Sequence, residues 1–252
     1  MIFLENLRKS YPAKGGRHLV FDQVNAVFPT GQSVGLLGRN GAGKSTLLNV
    51  IAGVEAGDSG RVLTDGNISY PVGFSGGFHR MMTGTQAARF IARVYGADTD
   101  ETIRFVESFT ELGRQLRQPI HTYSSGQKSR LSLAISMAIP FDIYLVDEIG
   151  AVGDGNFKMK SRALIYDRME KADIVMVDHG MNKIRSFCTI AAVIHQGRLR
   201  IFDDIEEGIA FYGEINKLSK GRATTKDVEP VKTPWVTRVV EGLTGRARLD
   251  DE

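Results

Sequence analysis

The sequence predicts an α/β domain built on a mostly parallel sheet, with an antiparallel β subdomain and a helical insertion. Three observations carry this. Short apolar runs alternate with stretches of helical periodicity, as β–α–β units require. A glycine-rich turn, "GRNGAGKST" at 38–46, lies between one such run and a helical pattern. From Thr85 to Ser124 the pattern turns helical, which reads as an insertion into the alternating scheme.

The bulk numbers agree with a globular chain. Its 252 residues, 42% apolar and 24% charged, can bury a sizeable core without covalent staples. A formal net charge of +3 demands neither nucleic acid nor a membrane surface. Cys188 is the one cysteine, which excludes an internal disulfide or a multi-cysteine zinc site and fits a reducing compartment. The opening "MIFLENLRKS" turns charged too soon for a signal peptide, and no apolar run approaches the ~20 residues that span a bilayer. The expectation is a soluble protein whose membrane role, if any, comes through a partner.

In chain order, "MIFLENLRKSYP" and "HLVFDQVNAVFPTGQ" read as antiparallel strands broken by Pro, Gly and polar turns. "SVGLLG" is a compact strand, and "KSTLLNVIAGV" a helix following the glycine-rich turn. "SGRVLTDGNISY" reads as a further hairpin. "QAARFIARVYG" and "DTDETIRFVESFTELG" are helical, the second capped by Asp98 with Glu101 and closed by Gly113 at C′. "SSGQKSRLSLAISMAIP" is a helix that Pro140 stops, and "FDIYLVDE" a buried strand ending in two acids. A helix from Lys158 to Glu170, the strand "DIVMVDH", a short helix and the hairpin "TIAAVIHQGRLRIFD" follow. "DIEEGIAFYGEI" is the last element of the body, which is drawn as one domain over 1–217 with the helical subdomain at about 83–138. The remainder, 218–252, is first polar; then Thr233 caps Pro234, and Trp235, Val236, Val239, Val240 and Leu243 share one face of a short amphipathic helix.

The chemistry begins at Gly38–Thr46, where G-x-x-x-x-G-K-[ST] stands between strand and helix. Glycines let backbone N–H groups curl round phosphate oxygens, and the helix N-terminus adds partial positive charge. Lys44 should reach the β- and γ-phosphates, and the Ser45 hydroxyl should bind Mg²⁺. A ligand-free glycine turn is the alternative; strand, spacing and the Lys-Ser pair speak against it. Asp147, closing an apolar strand, sits where a Mg²⁺ shell needs a carboxylate. Glu148 follows, free to take a proton from an attacking water. His179 after "DIVMVD" reads alone as a structural residue, as do His18, His79, His121 and His195. "YSSGQ" at 123–127 is a second helix N-terminus prepared for an anion, or a plain N-cap.

The ordered set "GRNGAGKST", "YSSGQ", "IYLVDE", "AVGD" and "VDHG" resembles the ATP-binding-cassette (ABC) ATPases over roughly Met1–Ile215. The resemblance implies a P-loop NTPase core and ATP as ligand, with Gly38, Asn40, Gly41, Gly43, Lys44, Ser45 and Thr46 holding its phosphates. It implies a homodimer in which Ser124, Ser125, Gly126 and Gln127 face the ATP of the other chain and Asp154 contacts across the interface. Ser125 replaces the family's common glycine, and Tyr123 a leucine. His179 would hold the γ-phosphate and the attacking water. Tyr11 matches the aromatic that stacks on adenine; a half-buried strand tyrosine is the other reading. Gly73 stands about where most members place a glutamine that touches Mg²⁺.

That departure, within "YPVGFSGGFHRMMTG", makes the chain similar to ATPases of bacterial surface-polysaccharide exporters, the capsular type above all. Exporters of O-antigen or teichoic acid are the runner-up. The resemblance implies docking at the cytoplasmic face of the inner membrane, under two copies of a permease subunit. The loop from Gly73 to Gly84 and the helix after it would receive that subunit. A soluble cassette protein acting on nucleic acid or ribosomes is the alternative of another class. It usually brings two cassettes, zinc cysteines or a long coiled coil, none of which this sequence carries, so no nucleic-acid partner is expected.

Overall fold

The computed structural model describes residues 1–72, 78–148 and 155–220. β1 (Ile2–Ala13) and β2 (Gly16–Phe28) form the predicted antiparallel pair, turning on Lys14 and Gly15, with Gly15 at φ +89°. β4 (Ser59–Thr64) adds to the other edge of β1, giving a three-stranded sheet in the order β2-β1-β4. The expected hairpin over 59–70 does not form. After β4 the chain crosses to the second sheet, where Ile68 and Val72 make isolated parallel bridges to Ile143 and Val146. Burial decides this: β4 is largely exposed, whereas Tyr70 and Val72 reach the main core and the Ser69 hydroxyl accepts from the Leu145 N–H at 2.9 Å. A strand folded back on β4 would leave those side chains in water.

The second sheet runs β5-β6-β3-β7-β8, from β5 (Ile143–Asp147), β6 (Asp173–Val177), β3 (Val34–Leu37), β7 (Ile190–His195) and β8 (Arg198–Phe202). The first four strands are parallel; β8 returns antiparallel through Gln196 and Gly197, both at positive φ as a tight two-residue hairpin requires. Strand periodicity sorts each strand between two cores. Ile143, Leu145, Val175, Val177, Ile190 and Ala192 face α1 (Lys44–Ile51) and the antiparallel sheet. Tyr144, Val146, Ile174, Met176, Ala191 and Val193 face the core that the helical insertion shares. A sheet buried on both faces explains why these strands read as continuous apolar runs.

The insertion consists of α2 (Gly84–Val94) and α3 (Thr99–Thr110), followed by short 3-10 turns and α4 (Ser125–Ala138). Thr83 and Gln86 close a reciprocal capping box on α2, and the Asp98 carboxylate accepts from the Glu101 N–H at 2.7 Å on α3. α3 ends earlier than expected. Glu111 caps the helix in the left-handed turn at φ +56°; Gly113, also left-handed at φ +53°, begins a 3-10 turn instead of closing α3. The cause is tertiary: Lys160, on α5 (Gly155–Glu170), donates to the carbonyls of Ser108 and Phe109 and to the Glu111 carboxylate at 2.7 Å. A cation thus satisfies the last carbonyls that a C′ glycine motif would otherwise serve.

α5 starts three residues before the predicted Lys158. α6 (Met181–Phe187) and α7 (Ile205–Lys220) complete the order, so the boundary expected at 217 falls inside the last turn of α7. The amphipathic tail at 233–243 lies outside the described residues, as do Gly73 and Asp154. Cys188, at the end of α6, is buried, which pushes its thiol up to about 12. The native protein should therefore resist thiol reagents at pH 8 and release one reactive thiol only on unfolding, read by an Ellman titration with and without denaturant.

Candidate functional site

The glycine-rich turn runs from β3 into α1, and its backbone explains its glycines. Gly41 and Gly43 sit at φ +78° and +98°, where a side chain is strained. A Cβ at Gly43 would come within 2.4 Å of Val20, and one at Gly38 within 2.6 Å of Ile194, so the loop is wedged between β2 and β7. Gly43 caps α1 with no side-chain hydrogen bond, which leaves the first-turn N–H groups of Lys44, Ser45 and Thr46 without an intrahelical acceptor. Such open N–H groups at a helix N-terminus suit an anion.

These groups line a cleft of about 420 Å³. Asn40, Gly41, Gly43, Lys44, Ser45 and Thr46 form its floor; Tyr11 enters from β1, and Glu148 and His179 from the ends of β5 and β6. The Lys44 ammonium donates to the carbonyls of Gly38 at 2.7 Å and Arg39 at 3.1 Å. Burial lowers its pKa, against the carboxylates of Glu148 and Asp147, which act to raise it. Both acids are thus electrostatically within reach of the lysine, although Asp147 itself is the half-buried last residue of β5 rather than a wall of the cleft.

Glu148 leaves the strand at φ +50°, a left-handed turn that is uncommon for a side-chain-bearing residue, and its N–H donates to the Val177 carbonyl at 2.9 Å. The turn throws its carboxylate outward, where it lies 2.8 Å from His179 Nε2. β6 ends at Val177, so His179 is two residues past the strand, and the parallel pairing of β5 with β6 sets it beside Glu148.

The second helix N-terminus is capped differently. α4 is self-capped: the Ser124 hydroxyl accepts from the Gln127 backbone N–H at 3.2 Å, and the Gln127 side-chain amide oxygen Oε1 accepts from the Ser124 N–H at 2.9 Å. The N–H groups of Ser125 and Gly126 keep no intrahelical acceptor. Both residues are exposed, and a Cβ at Gly126 would meet only the Ser124 hydroxyl, at 4.0 Å. Nothing inside the chain asks for glycine there. None of Ser124, Ser125, Gly126 and Gln127 lines the cleft of this chain. Tyr123, by contrast, is buried, and a Cβ on Gly84 would sit 2.7 Å from its hydroxyl, so Gly84 makes room for the larger ring.

Two cleft residues were missed in the sequence. His18, read as structural, lies opposite Tyr11 across the β1–β2 pair and lines the cleft, and Val20 stands beside it. A hairpin turning on two residues fixes that register, so the signal was present. His79 and His121 are exposed and lie elsewhere; His195 ends β7 half-buried, its pKa lowered by burial and by the Arg39 guanidinium.

For a small hard cation, Ser45 and Asp147 offer oxygen donors of the right kind. Among the described residues no three His, Cys, Asp or Glu side chains converge on a point. The donor set therefore fits an ion held by one or two protein oxygens and completed by phosphate and water, not one caged by protein alone.

A family model described as ABC transporter matches residues 21–151. Over 215 residues the chain is 45% identical to an Escherichia coli polysialic acid transport ATP-binding protein, KpsT, covering 84% of this chain and 96% of the relative. It is 38% identical to the capsule polysaccharide export ATP-binding protein CtrD of Neisseria meningitidis, over 85% of this chain and all of the relative. Teichoic acid and O-antigen export ATP-binding proteins match at lower identity. Among solved structures, the dimeric ATP-binding cassette MJ0796 in a post-hydrolysis state with ADP and Pi shares the fold, with a TM-score of 0.64 at 21% identity over 80% of this chain and 98% of that one.

Proposed function

The chain belongs to the ABC transporter family as its ATP-hydrolysing cassette, and from that premise we propose that it drives export of capsular polysaccharide across a bacterial inner membrane. The observation that carries the substrate is the likeness to polysialic acid and capsule export proteins along nearly their whole length. The cleft supplies the chemistry. ATP lies with its phosphates over the open N-terminus of α1, within reach of the Lys44 ammonium, and with its base toward Tyr11. Ser45 and Asp147 would hold Mg²⁺, which would supply charge neutralisation at the phosphates. Glu148 takes the proton of the attacking water, and His179, 2.8 Å from that carboxylate, orients water and γ-phosphate.

The exposed turn at Ser124–Gln127 completes the site of a second copy. Its open N–H groups and unexplained Gly126 support a homodimer in which each ATP is held from both sides, so that hydrolysis removes the group the two chains share. Asp154, outside the described residues, would act across the same interface.

The membrane partner docks beside α4. A cavity of about 250 Å³ lined by Phe78, Arg80, Ile120, His121, Lys128 and Leu131 opens there. Phe90 and Val94 lie one turn apart on α2 and, with Met81, expose 50–60% of their surface. Residues 78–97 and 112–140 contain no Asp or Glu, so the surface fits an apolar segment with acidic flanks. No helix among the described residues is long and apolar enough to cross a membrane.

Deleting the gene from its source bacterium tests the reading. Capsule should vanish from the surface and polysaccharide accumulate inside. An intact capsule with O-antigen or teichoic acid lost would transfer the motor to that export, and an unchanged surface would overturn the exporter reading.

A further inference from the structure

Tyr11 does not stand alone at the mouth of the cleft. Its hydroxyl donates to Glu55 Oε2 at 2.8 Å and lies 3.4 Å from the Thr46 hydroxyl. The other oxygen of the same carboxylate, Oε1, is 2.8 Å from the ammonium of Lys9. Lys9 is itself 8% exposed, donates to the Ala56 carbonyl at 2.7 Å, and places its charge 5.0 Å from the centre of the Tyr11 ring. Glu55 belongs to the turn that closes α1, where the N–H groups of Val54 and Glu55 both donate to the Asn49 carbonyl. The helix whose first turn meets the phosphates therefore carries, just past its last turn, the carboxylate that pins the aromatic.

We propose that Glu55, held by the buried Lys9, is a positioning residue that fixes the Tyr11 ring for the nucleotide base and so makes the site prefer ATP over a bare triphosphate. The proposal rests on reading the cleft as an ATP site. A phenol free to rotate would lose conformational freedom on each binding event; one tied at its hydroxyl and covered by a cation has lost it already, so stacking is gained at less cost. Both carboxylate oxygens of Glu55 are occupied, one for each partner, so it joins β1 to α1 at the point where base and phosphate sites meet.

The test compares affinity for Mg²⁺-ATP and for Mg²⁺-tripolyphosphate in wild type, Glu55→Ala, Glu55→Gln, Tyr11→Phe and Tyr11→Ala. Tyr11→Ala should weaken ATP roughly ten- to hundredfold, the scale of one base–aromatic stack. Glu55→Ala and Tyr11→Phe should each weaken it roughly two- to tenfold, the scale of one hydrogen bond, with the double variant no worse than either. Tripolyphosphate affinity should stay at the wild-type value throughout, and Glu55→Gln, which keeps one acceptor oxygen for two donors and loses the ion pair with Lys9, should recover only part of the loss. Wild-type ATP affinity in both Glu55→Ala and Tyr11→Phe would overturn the proposal, as would an equal loss of tripolyphosphate, which would make Glu55 a support of the phosphate loop. If wild type itself binds neither ligand in the cleft, the ATP reading fails, not merely this one.

Discussion

Glu148→Gln should lower ATP turnover by roughly 10²–10⁴-fold, the contribution of a positioned general base, while ATP affinity stays near the wild-type value. The substitution leaves the local structure its reasons to form. The N–H of residue 148 still donates to the Val177 carbonyl, and a glutamine oxygen can still accept from His179 Nε2, 2.8 Å away in the native pair. What disappears is the oxygen able to take a proton. A single-turnover measurement separates this from slow product release, because the loss should be present in the first turnover. In the homodimer proposed above, ATP trapped between two chains should also hold them together, so light scattering should show a dimer in ATP with this variant. Turnover at the wild-type rate would assign the proton to another group.

The parts of this site legible in the sequence are those whose chemistry is local. Phosphate binding needs strand, glycines, lysine and helix in unbroken order, so Gly38–Thr46 could be read directly, and the acids closing "IYLVDE" followed from their place at the end of an apolar strand. His179 was different. Nothing around it marks it, and only the resemblance raised it; its place beside Glu148 comes from the parallel pairing of β5 with β6. Glu55 was not legible at all, because its role depends on how the turn after α1 meets β1, a contact between residues 44 apart in the chain. The two errors in the fold share that origin. The 59–70 stretch has hairpin-like turn residues, but burial of Tyr70 and Val72 against β5 outweighs them. Gly113 looked like a helix stop, but Lys160 from a distant helix had already satisfied the end of α3.

Lys44→Ala should fail in the opposite way, by losing the phosphates. Its ammonium is a point charge kept in a partly desolvated cleft, where burial acts to remove the proton and the charges of Glu148 and Asp147 act to keep it. Without nucleotide it rests on the Gly38 and Arg39 carbonyls, which water can serve equally well once the side chain is gone. The fold should therefore survive, with an unchanged melting temperature. The electrostatics of binding should not, since two carboxylates would then face a triphosphate with no protein cation between them. A loss of roughly 10²–10³-fold in kcat/KM is the scale of removing one preorganised donor from developing charge. Lys44→Arg should not restore it, because the planar guanidinium is larger and cannot replace a compact ammonium behind the loop. Measured together, the two variants separate binding from chemistry: one holds ATP and does not cleave it, the other scarcely holds it. If Lys44→Ala binds and hydrolyses ATP as the native chain does, the open N-terminus of α1 is not where the phosphates lie.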